Sequence, residues 1–302
     1  MKRLPQAALL SDGRRLHLQD GPIDLIVEAR GDDADVRAAY DAAARRFTGL
    51  LNELCEELGD LRQAADPARC RLQGVVARRM HAAVRPFAGE CFVTPMAAVA
   101  GSVAEEILGA MLGVAQLTRA YVNNGGDIAL HLCGDEQLTV GLMDRPDSQG
   151  LMRTMNIRAD DPIRGIATSG RHGRSFSLGI ADAVTVLART ASQADAAATI
   201  IANAVDLPGH PLIARCPANE LQPDSDLGAR LVTRDVGELS GHEIEDALET
   251  GADRARTLLA AGLIEGAVLQ LCGEIFVVGT RGMEMHRPRT VRGAASESLM
   301  HA

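Results

Sequence analysis

The chain has 302 residues, 46% of them hydrophobic, 24% charged and 2% aromatic, with no Trp and a formal net charge of −9. That length can bury roughly three quarters of the unfolded surface, so no disulfide or metal staple is needed, and one compact domain or two intimate ones both fit. The acidic balance, with no basic face or run before the C-terminal tail, speaks against nucleic acid as a partner, and so few aromatic residues leave no platforms for stacked bases.

The N-terminal MKRLPQAALLSDGRR has no apolar run of signal-peptide length. No charge-free apolar stretch reaches about 18 residues, so the expectation is a cytoplasmic protein with no membrane partner. The sequence of residues 15–29, RLHLQDGPIDLIVEA, alternates apolar and polar residues around Asp-Gly-Pro, which predicts a β-hairpin. A long amphipathic helix is expected over 36–58, with Asp32 or Asp33 as N-cap and Gly59 as its stop. A second helix is expected over 71–84, ended by Pro86. Residues 94–113, TPMAAVAGSVAEEILGAMLG, begin with Thr94 as cap and Pro95 at the first helical position. The small face of Ala97, Ala98, Gly101, Ala104 and Gly109 would let another backbone approach closely.

Short strands follow at YVNNGGDIALHL, QLTVGLM, RTMNI, GIATSG and DAVTVLA, then a helix over 192–205, a helix over 244–261, and strands AVLQL and EIFVVG. This is an α+β pattern of two strand-and-helix halves in similar order, without a fixed-period repeat. Residues 1–280 are expected to form a single domain of two intimate halves, and 281–302 a loose polar tail. The six cysteines lack C-x-x-C spacing and read as small buried hydrophobes of a reducing compartment.

Three clusters carry candidate chemistry. Asn123, Asn124, Gly125, Gly126 and Asp127 form either a tight hairpin turn needing positive φ or a cradle whose N–H groups meet an anion. In ATSGRHGRSFSLG (167–179), Thr168, Ser169, Gly170, Arg171 and Arg174 suit either a phosphate-facing loop or a surface turn; the spacing is not that of a P-loop. In the helix SQADAAATIIANAV, Asp195 and Thr199 stand four apart and would present a carboxylate and a hydroxyl to Mg²⁺. Alternatively Ser192 caps the helix and Asp195 reaches back in a capping box.

The ordered patterns N-x-G-G-D, A-T-S-G, then V-T-V with A-D-A-x-A-T resemble the ApbE superfamily, best known for Mg²⁺-dependent FAD:protein FMN transferases. The chain is most similar to a short branch in which P-M-A-A-V-A-G, N-G-G-D and S-x-G-x-A-D-A-V-T-V recur. By motif the resemblance covers roughly residues 85–206. It implies an ApbE-like, T-fold-related α+β fold with a duplicated antiparallel sheet backed by helices. It also implies Asn123, Gly125, Gly126 and Asp127 as a flavin-nucleotide loop, and Asp195 with Thr199 as the metal-binding pair. The family's H-x-x-D-P-x-T-G segment between S-G and V-T-V is replaced here by RHGRSFSLGIADA, leaving His172 as the candidate substitute base.

Two functions therefore stay open. One is a Mg²⁺-dependent transferase that moves FMN from FAD to a Thr or Ser of a client protein. The other is a non-catalytic protein that binds flavin or another nucleotide, or scaffolds a metabolic enzyme. A homo-oligomer fits either one.

Overall fold

A computed structural model describes residues 5–143, 151–279, 285, 286, 300 and 301. In chain order the elements are β1 (Gln6–Leu9), β2 (Leu16–Asp20), β3 (Ile23–Gly31), α1 (Asp33–Phe47), α2 (Leu50–Glu56), α3 (Leu58–Leu61) and α4 (Val75–Val84). A 3₁₀ turn (Pro95–Ala98) then runs into α5 (Val99–Leu112), followed by β4 (Leu117–Asn124), β5 (Asp127–Leu132), β6 (Gln137–Met143), β7 (Leu151–Arg158), β8 (Gly165–Ser169) and β9 (Ala183–Ala188). After these come α6 (Ala191–Ala204), β10 (Ile213–Pro217), α7 (Ala218–Leu221), β11 (Leu231–Val236), α8 (Gly241–Ala260), β12 (Gly266–Leu271) and β13 (Glu274–Gly279).

The chain divides into two compact units: residues 1–137, 158–166 and 189–195 form the first, and 138–157, 167–188 and 196–302 the second. In the first, strands lie in the order β1-β2-β3-β4-β5-β8, and each of these neighbours pairs antiparallel. Helices α1 and α5 back this sheet, with α5 packed on β4 and β5, and α4 packs on α5. In the second, the order is β8-β9-β12-β13, with α8 packed on β12 and β13; β9, β12 and β13 pair antiparallel.

The architecture is thus α+β, with antiparallel sheet backed by helices. Residues 95–112 are long and apolar enough to cross a membrane, but half of that stretch is buried inside the protein. Its Glu105 and Glu106 are paired with arginines, so it is a core helix of the first unit.

Several boundaries differ from expectation for local reasons. The helix expected over 36–58 stops at Phe47, because Gly49 takes φ +89° and turns the chain before α2. The helix expected from residue 71 begins at Val75. Before it, the Glu57 carboxylate accepts the N–H groups of Gln73 (2.6 Å) and Gly74 (2.7 Å) and holds them out of the helix. Thr94 makes no side-chain cap bond at the 3₁₀ turn. All six cysteines are free, yet five are exposed and Cys216 is half-buried, so they are not core hydrophobes. The expected polar tail falls almost wholly outside the described residues.

Candidate functional site

The opening cluster is first of all a turn. Asn124 pairs with Asp127 across a two-residue loop, and Gly125 and Gly126 take φ +66° and +112°. Only glycine accepts two positive φ values in a row without steric cost, which is the type I′ requirement. Asn123 Oδ1 accepts the Gly126 N–H at 2.8 Å and fixes the loop from inside. Asn124 points elsewhere: it is buried, and its Nδ2 donates to the Ala100 carbonyl at 3.1 Å.

Ala100 and Gly101 belong to the first turn of α5, where helix N–H groups have no partner within the helix. Asp195, on the first turns of α6, supplies one. Its Oδ2 accepts the Gly101 N–H at 2.9 Å, and the Ala100 N–H also bonds its carboxylate. Asp195 therefore caps a helix far from it in sequence.

The starts of α5 and α6 can meet because small residues clear the way. A Cβ on Gly101 would stand 2.3 Å from the Ala191 carbonyl oxygen, and one on Gly165 would stand 2.1 Å from the Thr190 carbonyl carbon. The Thr190–Ala191 peptide is thus gripped between two glycines. Gly101 provides the close approach that the small-residue face implied, whereas Gly109 faces open space.

The local capping box does not form. Thr190 caps α6, accepting the Gln193 N–H on Oγ1 at 3.3 Å, while the Ser192 N–H goes to Glu105 Oε1 at 2.6 Å. Glu105 is itself held by Arg79 at 3.2 Å.

Asp195 is half-buried. Burial pushes its carboxyl up to about 7, against the opposing pull of the Gly101 and Ala100 N–H groups. No cationic side chain contributes to that balance. Thr199, also half-buried, lies one helical turn further along α6. The structure therefore brings Asn124 and Asp195 onto one turn of α5, in the first unit.

The second cluster lies within the second unit and centres on Asp182, which sequence reasoning passed over. Asp182 Oδ1 accepts Arg171 Nε at 2.8 Å, Arg171 Nη2 at 2.6 Å and His172 Nε2 at 3.1 Å. Its Oδ2 accepts the Cys272 N–H at 2.5 Å. Gly170 lets this happen, since a Cβ there would stand 2.4 Å from the Asp182 carbonyl oxygen. Thr168 shares a hydrogen bond with Thr185 at 2.8 Å. Ser169 is half-buried and Arg174 exposed.

Cys272 sits at φ +50° in the β12–β13 turn and is the one non-glycine residue in that region among those described. The only local signal for Asp182 was its place as the acid two residues before V-T-V.

Among the described residues no group of three or more His, Cys, Asp or Glu side chains is arranged to hold a metal ion. Asp195 and Thr199, the pair expected from the sequence to take that role, stand four positions apart on α6. Both offer hard oxygens suited to Mg²⁺, an ion that commonly takes one or two carboxylates and completes its shell with phosphate oxygens and water. A desolvated carboxylate with no cationic partner fits that role.

The comparisons with known proteins give relatives of the same kind. The UPF0280 protein of Methanopyrus kandleri is 39% identical over 179 residues, which is 56% of this chain and 67% of that protein. The UPF0280 proteins of Methanococcoides burtonii and Archaeoglobus fulgidus are 40% identical over 121 residues and 37% identical over 140 residues. These two matches span 48% and 54% of the relatives' own lengths, about half of each. A crystal structure of apo Pseudomonas stutzeri flavinyl transferase ApbE aligns over 93% of this chain and 96% of its own, with a TM-score of 0.46 and 10% identity. The profile of the family described as AbpE bacteria matches residues 7–277. Because that match covers all the strands and helices from β2 to α8 together with β12, the chain belongs to the AbpE bacteria family.

Proposed function

We propose that the protein binds a flavin dinucleotide or a related nucleotide together with Mg²⁺ at the Asp195 end of α6. The observation that carries this reading is the Asp195 carboxylate: half-buried, raised to about 7, and answered only by backbone N–H groups. Membership of the family and the ordered motifs support it. Asp195 and Thr199 are the residues that hold the ion, and a bound Mg²⁺ would neutralise charge on the pyrophosphate oxygens. The Asn123–Asp127 turn, with Asn124 anchored to Ala100, fixes a backbone edge beside that carboxylate. Thr168, Ser169, Gly170, Arg171 and Arg174, within the second unit, are proposed as a phosphate-facing loop in their own right. The six free cysteines favour a reducing, cytoplasmic setting for any client protein.

A second reading, FMN transfer, is favoured by one further observation. His172 Nε2 bonds Asp182, as an orienting carboxylate holds an imidazole base. In that reaction a client Thr or Ser oxygen forms a bond to the FMN-side phosphorus, the bond from that phosphorus to the AMP oxygen breaks, and the hydroxyl proton passes to the base. Arg171 shares the same Asp182 oxygen, so the imidazole competes with a permanent cation for its partner. Together with the missing H-x-x-D-P-x-T-G segment, this favours the reading of nucleotide binding as the primary function, with slow transfer.

Titration calorimetry with FAD in Mg²⁺ and in EDTA tests the binding. Mg²⁺ should tighten binding in the wild type and have no effect in Asp195→Asn, which keeps an acceptor for the Gly101 N–H; a metal effect that persists in Asp195→Asn removes the proposal. Incubation with FAD, Mg²⁺ and an acceptor bearing a flavinylation motif should leave little covalent FMN after denaturation. Robust labelling lost in His172→Ala would instead establish transfer with His172 as base.

A further inference from the structure

Five arginines fall between residues 69 and 85: Arg69, Arg71, Arg78, Arg79 and Arg85. The expectation of no basic face ahead of the tail fails here, because α4 gathers charges that the net balance of the chain conceals. Arg79 turns toward α5 and is neutralised there by Glu105 at 3.2 Å and Glu106 at 2.9 Å. Its neighbour Arg78 points the other way. With Arg85 and Arg69 it lines a concavity of about 180 Å³, together with Ala68, Cys70, His81 and Ala82. Residues 78, 81, 82 and 85 follow the i, i+3, i+4, i+7 pattern of one helix face.

The opposite wall is held in place by hydrogen bonds. Asp66 Oδ1 accepts the N–H groups of Ala68 (2.8 Å) and Arg69 (3.2 Å), and its carbonyl meets Nε2 of the buried His81 at 3.0 Å. The acid nearest in the chain thus bonds backbone N–H groups and makes no ion pair with Arg69. Among the described residues none of the guanidinium groups of Arg69, Arg78 and Arg85 has an ion-pair partner. The paired arginines beside them show that acids are available on this helix layer.

Like charges converging on one hollow repel each other unless an anion joins them. Guanidinium forks match the oxygens of phosphate in pairs. The hollow is small, with room for a compact anion rather than a whole nucleotide, no Phe, Tyr or Trp lines it for a base to stack on, and it presents more charge than a single carboxylate would balance. We propose that the hollow between α4 and residues 66–70 is a binding site for a small molecule bearing a phosphate or pyrophosphate group, with Arg69, Arg78 and Arg85 as its ligands.

This site does not depend on the Asp195 reading, and metal-free conditions separate the two. The test titrates inorganic pyrophosphate into the full chain in EDTA by calorimetry. Saturable binding is expected, about tenfold weaker in Arg78→Gln and again in Arg85→Gln, as for loss of one charged hydrogen-bonding partner. It should be unchanged in Arg37→Gln, an exposed arginine on α1. All three side chains are exposed, so melting curves should match the wild type. No binding, or equal binding in the Arg78→Gln/Arg85→Gln double variant, overturns the proposal. Arginine-dependent binding of phosphatidylserine vesicles or polyadenylate that is tighter than pyrophosphate at equal phosphate also overturns it, and assigns the patch to a surface of that kind.

Discussion

Two aspartates, one in each compact unit, show how differently the same side chain can be used. Asp195 is surrounded by backbone: its oxygens meet N–H groups of α5 and no cation contributes to its balance. Asp182 is surrounded by charge: Arg171 and His172 share one oxygen and the Cys272 N–H takes the other. The first carboxylate is desolvated and met only by backbone N–H groups, so burial favours its protonated form. The second is fully engaged, and acts as a latch that ties the 170–172 turn to the β12–β13 turn.

The comparison breaks most visibly in the pH dependence of stability. The carboxyl of Asp195 is raised from 3.8 to about 7. Below pH 4 both folded and unfolded chains carry the proton. As pH rises from about 4 to 7 the unfolded chain releases it and the native one keeps it, so stability falls across that window and then levels off. The upper bound is about 4 kcal/mol, reduced by the partial exposure of the group. Urea melts at several pH values should show this decline in the wild type and not in Asp195→Asn, and Mg²⁺ at neutral pH should restore part of it. A wild type that tracks the variant at every pH would mean that Asp195 is an ordinary surface carboxylate.

The latch predicts a somewhat smaller effect of the opposite kind. Asp182→Ala leaves Arg171 and His172 without their shared oxygen and orphans the Cys272 N–H, and should cost about 3 kcal/mol by chemical denaturation. A loss below about 1 kcal/mol would place the cluster among exposed pairs, whose worth is small.

The smallest effect sharpens the contrast. Cys272 holds φ +50°, where a side chain costs about 1 kcal/mol relative to glycine. Cys272→Gly should raise stability by about that amount, and the gain should differ in an Asp182→Ala background if the latch is what holds the turn.

Much of this was legible in the sequence wherever the cause was local. Gly125-Gly126 between alternating runs specified its turn, and the strand segments from 121 to 188 and from 267 to 279 formed near the expected places. The misses have identifiable physics. Thr48-Gly49 lay inside an amphipathic run, and only the positive φ of Gly49 revealed the break. The capping box was sought at Ser192 and Asp195, but it forms at Ser240 and Glu243, where S-G-H-E spells it out. At Ser192 the competing partner was Glu105, on another helix. The role of Asp195 in capping α5 could not be read from any window around either residue, since the two partners are 94 positions apart. Asp182 is a mixed case: Arg171 and His172 lie within 11 positions of it, but its contact with the Cys272 N–H spans 90.

That separation has a consequence for how the chain is made. The first turn of α5 leaves the ribosome with its N–H groups open, and the carboxylate that closes them follows 94 residues later. At typical synthesis rates the delay is roughly 5 to 20 seconds. Residues 167–188, which belong to the second unit, are made before residues 189–195 return to complete the first. Neither unit is a continuous stretch of chain, so translation cannot finish one before beginning the other. A nascent chain stalled anywhere short of Asp195 would carry α5 uncapped.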